Sequence, residues 1–145
     1  MRVKLLAVLM TLGLALSPMS VMAQNSDFEA TKLLANKGDA EAQYSLGNMY
    51  FYGNGVDKDD VMAVKYYQLA ADQGHAKAQS NLGAMYDFGL GVSKNEDTAV
   101  KYYQLAADQG NAEAQNNLGV MYKYGMGVAK NQIMAVKYYQ LAAGS

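Results

Sequence analysis

The sequence predicts an all-α fold, a solenoid of three 36-residue helix-turn-helix repeats behind an N-terminal capping helix. The nine residues AVKYYQLAA stand at Ala63 to Ala71, Ala99 to Ala107 and Ala135 to Ala143, always 36 apart. Cut at that period from Gly38, the chain falls into blocks 38–73, 74–109 and 110–145 without a gap, and 21 of the 36 columns are identical in all three. A period of this length marks stacked units that cannot bury their apolar faces alone, and three is about the minimum for a stable array.

Residues 1–23 stand apart from the array. Arg2 and Lys4 give a positive start, and Leu5 to Leu16 is apolar except for Thr11. Ser17-Pro18, expected to break a helix, precedes Val21-Met22-Ala23. This order is that of a secretory signal peptide cleaved after Ala23, and the run is too short for a membrane span of about 20 residues. The protein is therefore expected to be periplasmic or secreted, without stable membrane insertion after cleavage. There is no cysteine, hence no disulfide framework and no cysteine-linked lipid. Removing Arg2 and Lys4 leaves ten basic residues against thirteen acidic ones, a formal charge of −3. With no basic run to meet phosphates, nucleic acid is not an expected partner.

Residues 24–37 form the capping helix, with Leu33, Leu34 and Ala35 in the columns of Leu69, Ala70 and Ala71. In the first block, Ala42, Leu46, Met49 and Tyr50 predict helix A, which Gly53 and Gly55 end. The column Asp59, Asn95 and Asn131 supplies N-caps for helix B. Ala63, Tyr66, Tyr67, Ala70 and Ala71 form the buried stripe of that helix. Lys65, Gln68 and their repeats at 101, 104, 137 and 140 fall on the opposite side; they are expected to be solvated and alike through recent duplication. Gly47, Gly83 and Gly119 sit inside helix A, where each costs about 1 kcal/mol relative to alanine. Close approach of Tyr66 or Tyr67 over the bare Cα is the expected compensation. The last helix B, ending Ala142-Ala143-Gly144-Ser145, has no cap, so self-association through this C-terminal helix is a possible interaction.

The pattern Ala40-x-Ala42-Gln43-x-x-Leu46-Gly47-x-x-Tyr50-x-x-Gly53-x-Gly55-Val56, then Ala63-x-x-Tyr66-Tyr67-x-x-Ala70-Ala71-x-x-Gly74, recurs from Gly38 to Ser145. It closely resembles the Sel-one-like repeat, a relative of the tetratricopeptide repeat, with Tyr66 where many members carry tryptophan. The resemblance implies a right-handed superhelix of antiparallel helix pairs with helix A lining the concave side. It also implies an adaptor in protein complexes. Exported bacterial members include regulators, secretion or polysaccharide-assembly scaffolds and binders of host proteins.

Columns that hold a stack together must match, whereas solvent-facing columns drift. In helix A the drifting columns are Glu41/Lys77/Glu113, Tyr44/Ser80/Asn116, Asn48/Ala84/Val120 and Tyr52/Phe88/Tyr124, spaced 3, 4 and 4 on one face. The expected partner-binding set on the concave face is Tyr44, Asn48, Tyr52, Ser80, Asn81, Phe88, Asn116, Asn117 and Tyr124. Aromatic anchors beside amides suit a protein or peptide partner. Tyr52, Phe88 and Tyr124 could equally complete the core between repeats.

No catalytic arrangement emerges. His75, the one histidine, stands in the helix A cap column beside Asp39 and Asn111. Asp57, Asp59 and Asp60 lack the spacing and terminal glutamate of a calcium loop, and Gly-x-Gly-Val lacks the strand and third glycine of a phosphate loop. Cysteine-rich relatives have been linked to β-lactam hydrolysis, but this chain has neither cysteine nor Ser-x-x-Lys. No enzyme activity, metal or cofactor is expected. The function expected is that of an exported interaction scaffold in a bacterial envelope process, the alternative being a secreted factor directed at a host protein.

Overall fold

A computed structural model describes residues 17–144, with seven helices and no strand among the described residues. α1 runs Pro18–Asn36, α2 Ala40–Tyr52, α3 Asp60–Asp72, α4 Ala76–Phe88, α5 Glu96–Asp108, α6 Ala112–Tyr124 and α7 Gln132–Ala143. Thus α2, α4 and α6 are the helices A of the three repeats, and α3, α5 and α7 the helices B. Every substantial helix-to-helix contact joins chain neighbours, as in a solenoid whose units touch only the next unit.

Local chemistry sets the boundaries. Asp59, Asn95 and Asn131 have extended backbones and accept the N–H of Met62, Thr98 and Met134 at 3.0, 2.9 and 3.1 Å. Asp39, His75 and Asn111 cap the helices A in the same way. Each cap is worth about 1 kcal/mol. Gly53, Gly89 and Gly125 close the helices A in the left-handed conformation, which glycine enters without steric cost.

Within each repeat the two helices meet at the glycine inside helix A. A Cβ on Gly47, Gly83 or Gly119 would lie 2.6, 2.7 or 2.6 Å from a ring carbon of Tyr67, Tyr103 or Tyr139. The second tyrosine of each pair is therefore the one over the bare Cα. The first stacks elsewhere: Tyr66 on Tyr50, Tyr102 on Tyr86 and Tyr138 on Tyr122, with ring centroids 5.7, 5.8 and 5.7 Å apart.

Between repeats, buried glutamines close the junctions. Gln43, Gln79 and Gln115 donate to the carbonyls of Ala35, Ala71 and Ala107, and Gln73 and Gln109 donate to Gln43 and Gln79 at 2.7 Å. Gln68 and Gln104 correct an expectation. They are not merely solvated duplicates, because Tyr102 Oη donates to Gln68 at 3.0 Å and Tyr138 Oη to Gln104 at 2.9 Å. Their identity across repeats thus has a packing cause besides duplication.

α1 extends further back than the sequence suggested. Ser17 caps it and Pro18 holds its first position, where the missing N–H is no loss, so Ser17-Pro18 starts a helix instead of breaking one. From Gln24 onward α1 keeps the register of a helix B. A Cβ on Gly55 would lie 2.7 Å from the Gln24 carbonyl oxygen, just as Gly91 crowds Asp60 and Gly127 crowds Glu96. Leu34 occupies the column of the fully buried Ala70, yet it is 51% exposed because no helix A precedes it among the described residues. The basic start and apolar run of the expected signal peptide lie outside the described residues. No helix among those described is long and apolar enough to cross a membrane.

Candidate functional site

The face built by α2, α4 and α6 carries the residues singled out from the sequence, but it does not present them alike. Tyr52, Phe88 and Tyr124 are the last residues of their helices and are 67%, 71% and 62% exposed. They do not complete the core. Tyr52 packs edge-on against Phe51, and Lys123 Nζ lies 5.2 Å from the Tyr124 ring centre.

Two of the four amides are engaged. Asn48 Oδ1 accepts from Tyr67 Oη at 2.7 Å and from Asn81 Nδ2 at 3.4 Å, so Asn48 and Asn81 form one cluster across the first junction. Asn117 is half-buried and Asn116 exposed. Tyr44 is half-buried and stacks on His75 at 4.7 Å. Ser80 departs from the expectation of a surface position. It is 1% exposed, a short side chain that does not clear the helix surface, and its Oγ has no hydrogen-bond partner among the described residues.

One participant escaped the sequence reading. In the second repeat, alanine replaces Asn48 at position 84, and Tyr103 Oη turns instead to Asp87 Oδ2 at 3.4 Å. Burial lifts the Asp87 carboxyl above its ordinary range, against the opposing pull of Lys94 and of the Tyr103 hydroxyl. Burial likewise raises Tyr103, helped by the Asp87 charge, and raises Tyr67, where the Asn81 hydrogen bond partly opposes it.

These tyrosines predict alkaline sensitivity. Above pH 10.0, the ordinary tyrosine value, the unfolded chain releases phenolic protons that folded Tyr67 and Tyr103 retain. The unfolded state then binds fewer protons, so stability falls as pH rises, by up to about 1.4 kcal/mol per pH unit for each tyrosine. Denaturant titrations at successive pH values should show this loss, and Tyr103→Phe should flatten it. A stability that stays level through that range in the unaltered protein would contradict the assignment.

His75 is committed to structure. Its Nδ1 accepts from the Ala78 N–H at 3.1 Å, which leaves the proton on Nε2, 2.9 Å from Glu41 Oε2. Asp59 caps α3, and Asp60 pairs with Lys58. Among the described residues no group of three His, Cys, Asp or Glu is arranged to hold a metal.

Comparison with known proteins agrees with this architecture. The Sel1 repeat family model matches residues 40–75, 76–111 and 112–144. The fold is similar to that of a Sel1 repeat protein from Oxalobacter formigenes, with a TM-score of 0.79, 35% identity, and coverage of 83% of this chain and 49% of that one. It is also similar to cysteine rich protein B of Helicobacter pylori, at TM-score 0.64 and 23% identity over 81% of this chain and 89% of that one, a likeness of fold alone. A further match is c5321, a protective antigen present in uropathogenic Escherichia coli strains displaying an SLR fold, at TM-score 0.47 and 31% identity. That match covers 81% of this chain and 33% of the antigen, so this chain spans about half the Oxalobacter protein and a third of the antigen. No curated protein matches the chain. With three matched repeats on consecutive helical hairpins, the chain belongs to the Sel1 repeat family, within the tetratricopeptide-like superfamily of α-solenoids.

Proposed function

We propose that this protein is an exported scaffold, periplasmic or secreted, that binds a protein or peptide segment on its helix A face in a bacterial envelope process. Sel1-repeat proteins are generally protein–protein interaction scaffolds. The observation that supports this use of the face is the row Tyr52, Phe88 and Tyr124, three large aromatics one repeat apart and mostly in solvent. Each is fixed at the end of a packed helix, so little backbone freedom is lost when a partner covers it. Aromatic anchors of this kind dominate binding energy at protein interfaces. Asp87 sets an acidic group beside the middle anchor. The mechanism is geometric presentation, with no role for a cofactor, metal or nucleic acid and no enzymatic step.

A secreted factor bound to a host protein would use the same face and differ in destination; recovery from the periplasm or from the medium separates the two. A β-lactamase-like hydrolase finds no Ser-x-x-Lys here, and a chromogenic β-lactam left intact by purified protein would close that reading.

The binding test compares wild type with the triple Tyr52, Phe88 and Tyr124 to alanine variant, its helicity checked by circular dichroism. Partners captured from envelope extract are identified by mass spectrometry and then titrated against both proteins. At about 1 kcal/mol or more per anchor, the variant should bind roughly 100-fold more weakly. Equal affinity for both proteins would rule out the aromatic row as the site.

A further inference from the structure

The outer flank of α7 repeats a surface that is covered at both inner junctions. Where α3 meets α4, Gly91 sits on the Asp60 carbonyl and Val64 packs in one cluster with Leu90 and Val92. There Gln79 donates to the Ala71 carbonyl, and Tyr102 donates to Gln68. Where α5 meets α6 the same four contacts recur on Glu96, Val100, Ala107 and Gln104. α7 places Gln132, Val136, Ala143 and Gln140 in those columns. Val136 is 53% exposed there, and it lines an open groove with Gln132, Ile133, Lys137 and Gln140.

The complementary half of this junction exists at the other end of the molecule. The first repeat offers Gly55, Val56, Gln43 and Tyr66 in the columns of Gly91, Val92, Gln79 and Tyr102. α1 covers them, with one mismatch. Lys32 holds the column of Gln68 and Gln104, and an ammonium group accepts no hydrogen bond. The Tyr66 ring is buried, its Oη makes no hydrogen bond to another described residue and is left to solvent, and Lys32 Nζ lies instead 5.6 Å from the Phe28 ring centre.

We propose that the outer flank of α7 docks a second copy of this chain, head to tail, on the front of that copy's first repeat in the place α1 occupies. Val136 then meets Val56, Gln43 reaches the Ala143 carbonyl, and Gln140 supplies the acceptor that Lys32 denies to Tyr66. Continuity with the two inner junctions selects a second copy over an unrelated helix, because one surface already carries all four matching groups. Such a heterologous contact does not close on itself, so it extends into open chains. α1 is a tethered competitor at an effective concentration of roughly millimolar, so assembly grows with protein concentration and with any loosening of α1.

Analytical ultracentrifugation of the protein from micromolar to millimolar concentration tests this. Wild type should associate at the upper end, and Phe28→Ala, which loosens α1, should at least double the average mass at a given concentration. Val136→Glu, a change at an exposed position, should leave a folded monomer throughout. The double variant F28A/V136E should be monomeric alone but shorten F28A chains toward dimers, since its front still accepts a tail. A wild type that stays monomeric to millimolar concentration, assemblies that survive V136E, or a double variant that fails to shorten chains would each overturn the proposal.

Discussion

Gly83→Leu is expected to lower the melting temperature by roughly 10–20 °C, corresponding to a loss of about 3–5 kcal/mol. A Cβ at Gly83 would stand 2.7 and 2.8 Å from two ring carbons of Tyr103, and leucine adds three further carbons behind it. The ring cannot swing away into solvent, because Tyr103 is 1% exposed and belongs to the cluster formed with Ala99, Ala106 and Leu118. Replacing a mid-helix glycine returns about 1 kcal/mol of helix propensity, which is too little to offset the overlap. The control is Ala84→Val, one residue further along α4, since Val120 already occupies that column in the third repeat. Thermal unfolding followed by circular dichroism should show a large drop for G83L and little change for A84V. An unchanged melting temperature for G83L would refute the account of why three glycines persist inside helices.

The fold was legible because its determinants are local and recur. An Asp or Asn at a loop-to-helix boundary has one obvious task, and a glycine after the last periodic residue has another, so the elements were placed nearly to the residue. Relations between neighbouring units were harder. Gln68 and Gln104 looked exposed because the tyrosine that reaches each lies 34 residues away in the next repeat, and identical copies suggest duplication as readily as contact. Ser80 misled in the opposite sense. Its column changes from tyrosine to serine to asparagine, which resembles a surface free to drift, whereas in the middle repeat the position is enclosed. Asp87 was within reach: Phe51, Asp87 and Lys123 also differ in every repeat, three residues beyond the Asn48 column. Whether the aromatic row served packing or stood in solvent depended on side-chain exposure, which helical spacing leaves open. Residues 18–23 suggested the end of a signal peptide, from the order of basic, apolar and small residues. That order carries no information on whether the segment is helical, so the part of α1 before Gln24 was not foreseen.

Gly91→Ala is expected to cost at least 3 kcal/mol and to uncouple the first repeat from the second. The residue adopts φ +67°, where a Cβ costs an L-residue roughly 1–2 kcal/mol. The larger effect is contact. The added carbon would stand 2.3 Å from the Asp60 carbonyl oxygen, 2.5 Å from its carbon and 2.8 Å from Val61 N, all of them backbone atoms in the first turn of α3. A backbone turn cannot rotate aside as a side chain can, so α3 and the loop must separate. Gly89→Ala isolates the conformational part, because Gly89 has the same φ and its Cβ would meet Lys94 only at 3.2 Å. Denaturant unfolding should therefore show G91A less stable than G89A by about 2 kcal/mol. It should also show a smaller m-value, as expected when a one-dimensional array loses an interface and its parts unfold separately. The same opening displaces Tyr52 from Phe88 and Tyr124, so a partner that spans all three aromatics should bind G91A more weakly than G89A even where both remain folded. If G91A and G89A prove equally stable and equally cooperative, the glycine is needed for its backbone angle alone, and the close seating of one repeat on the next is not what holds the array together.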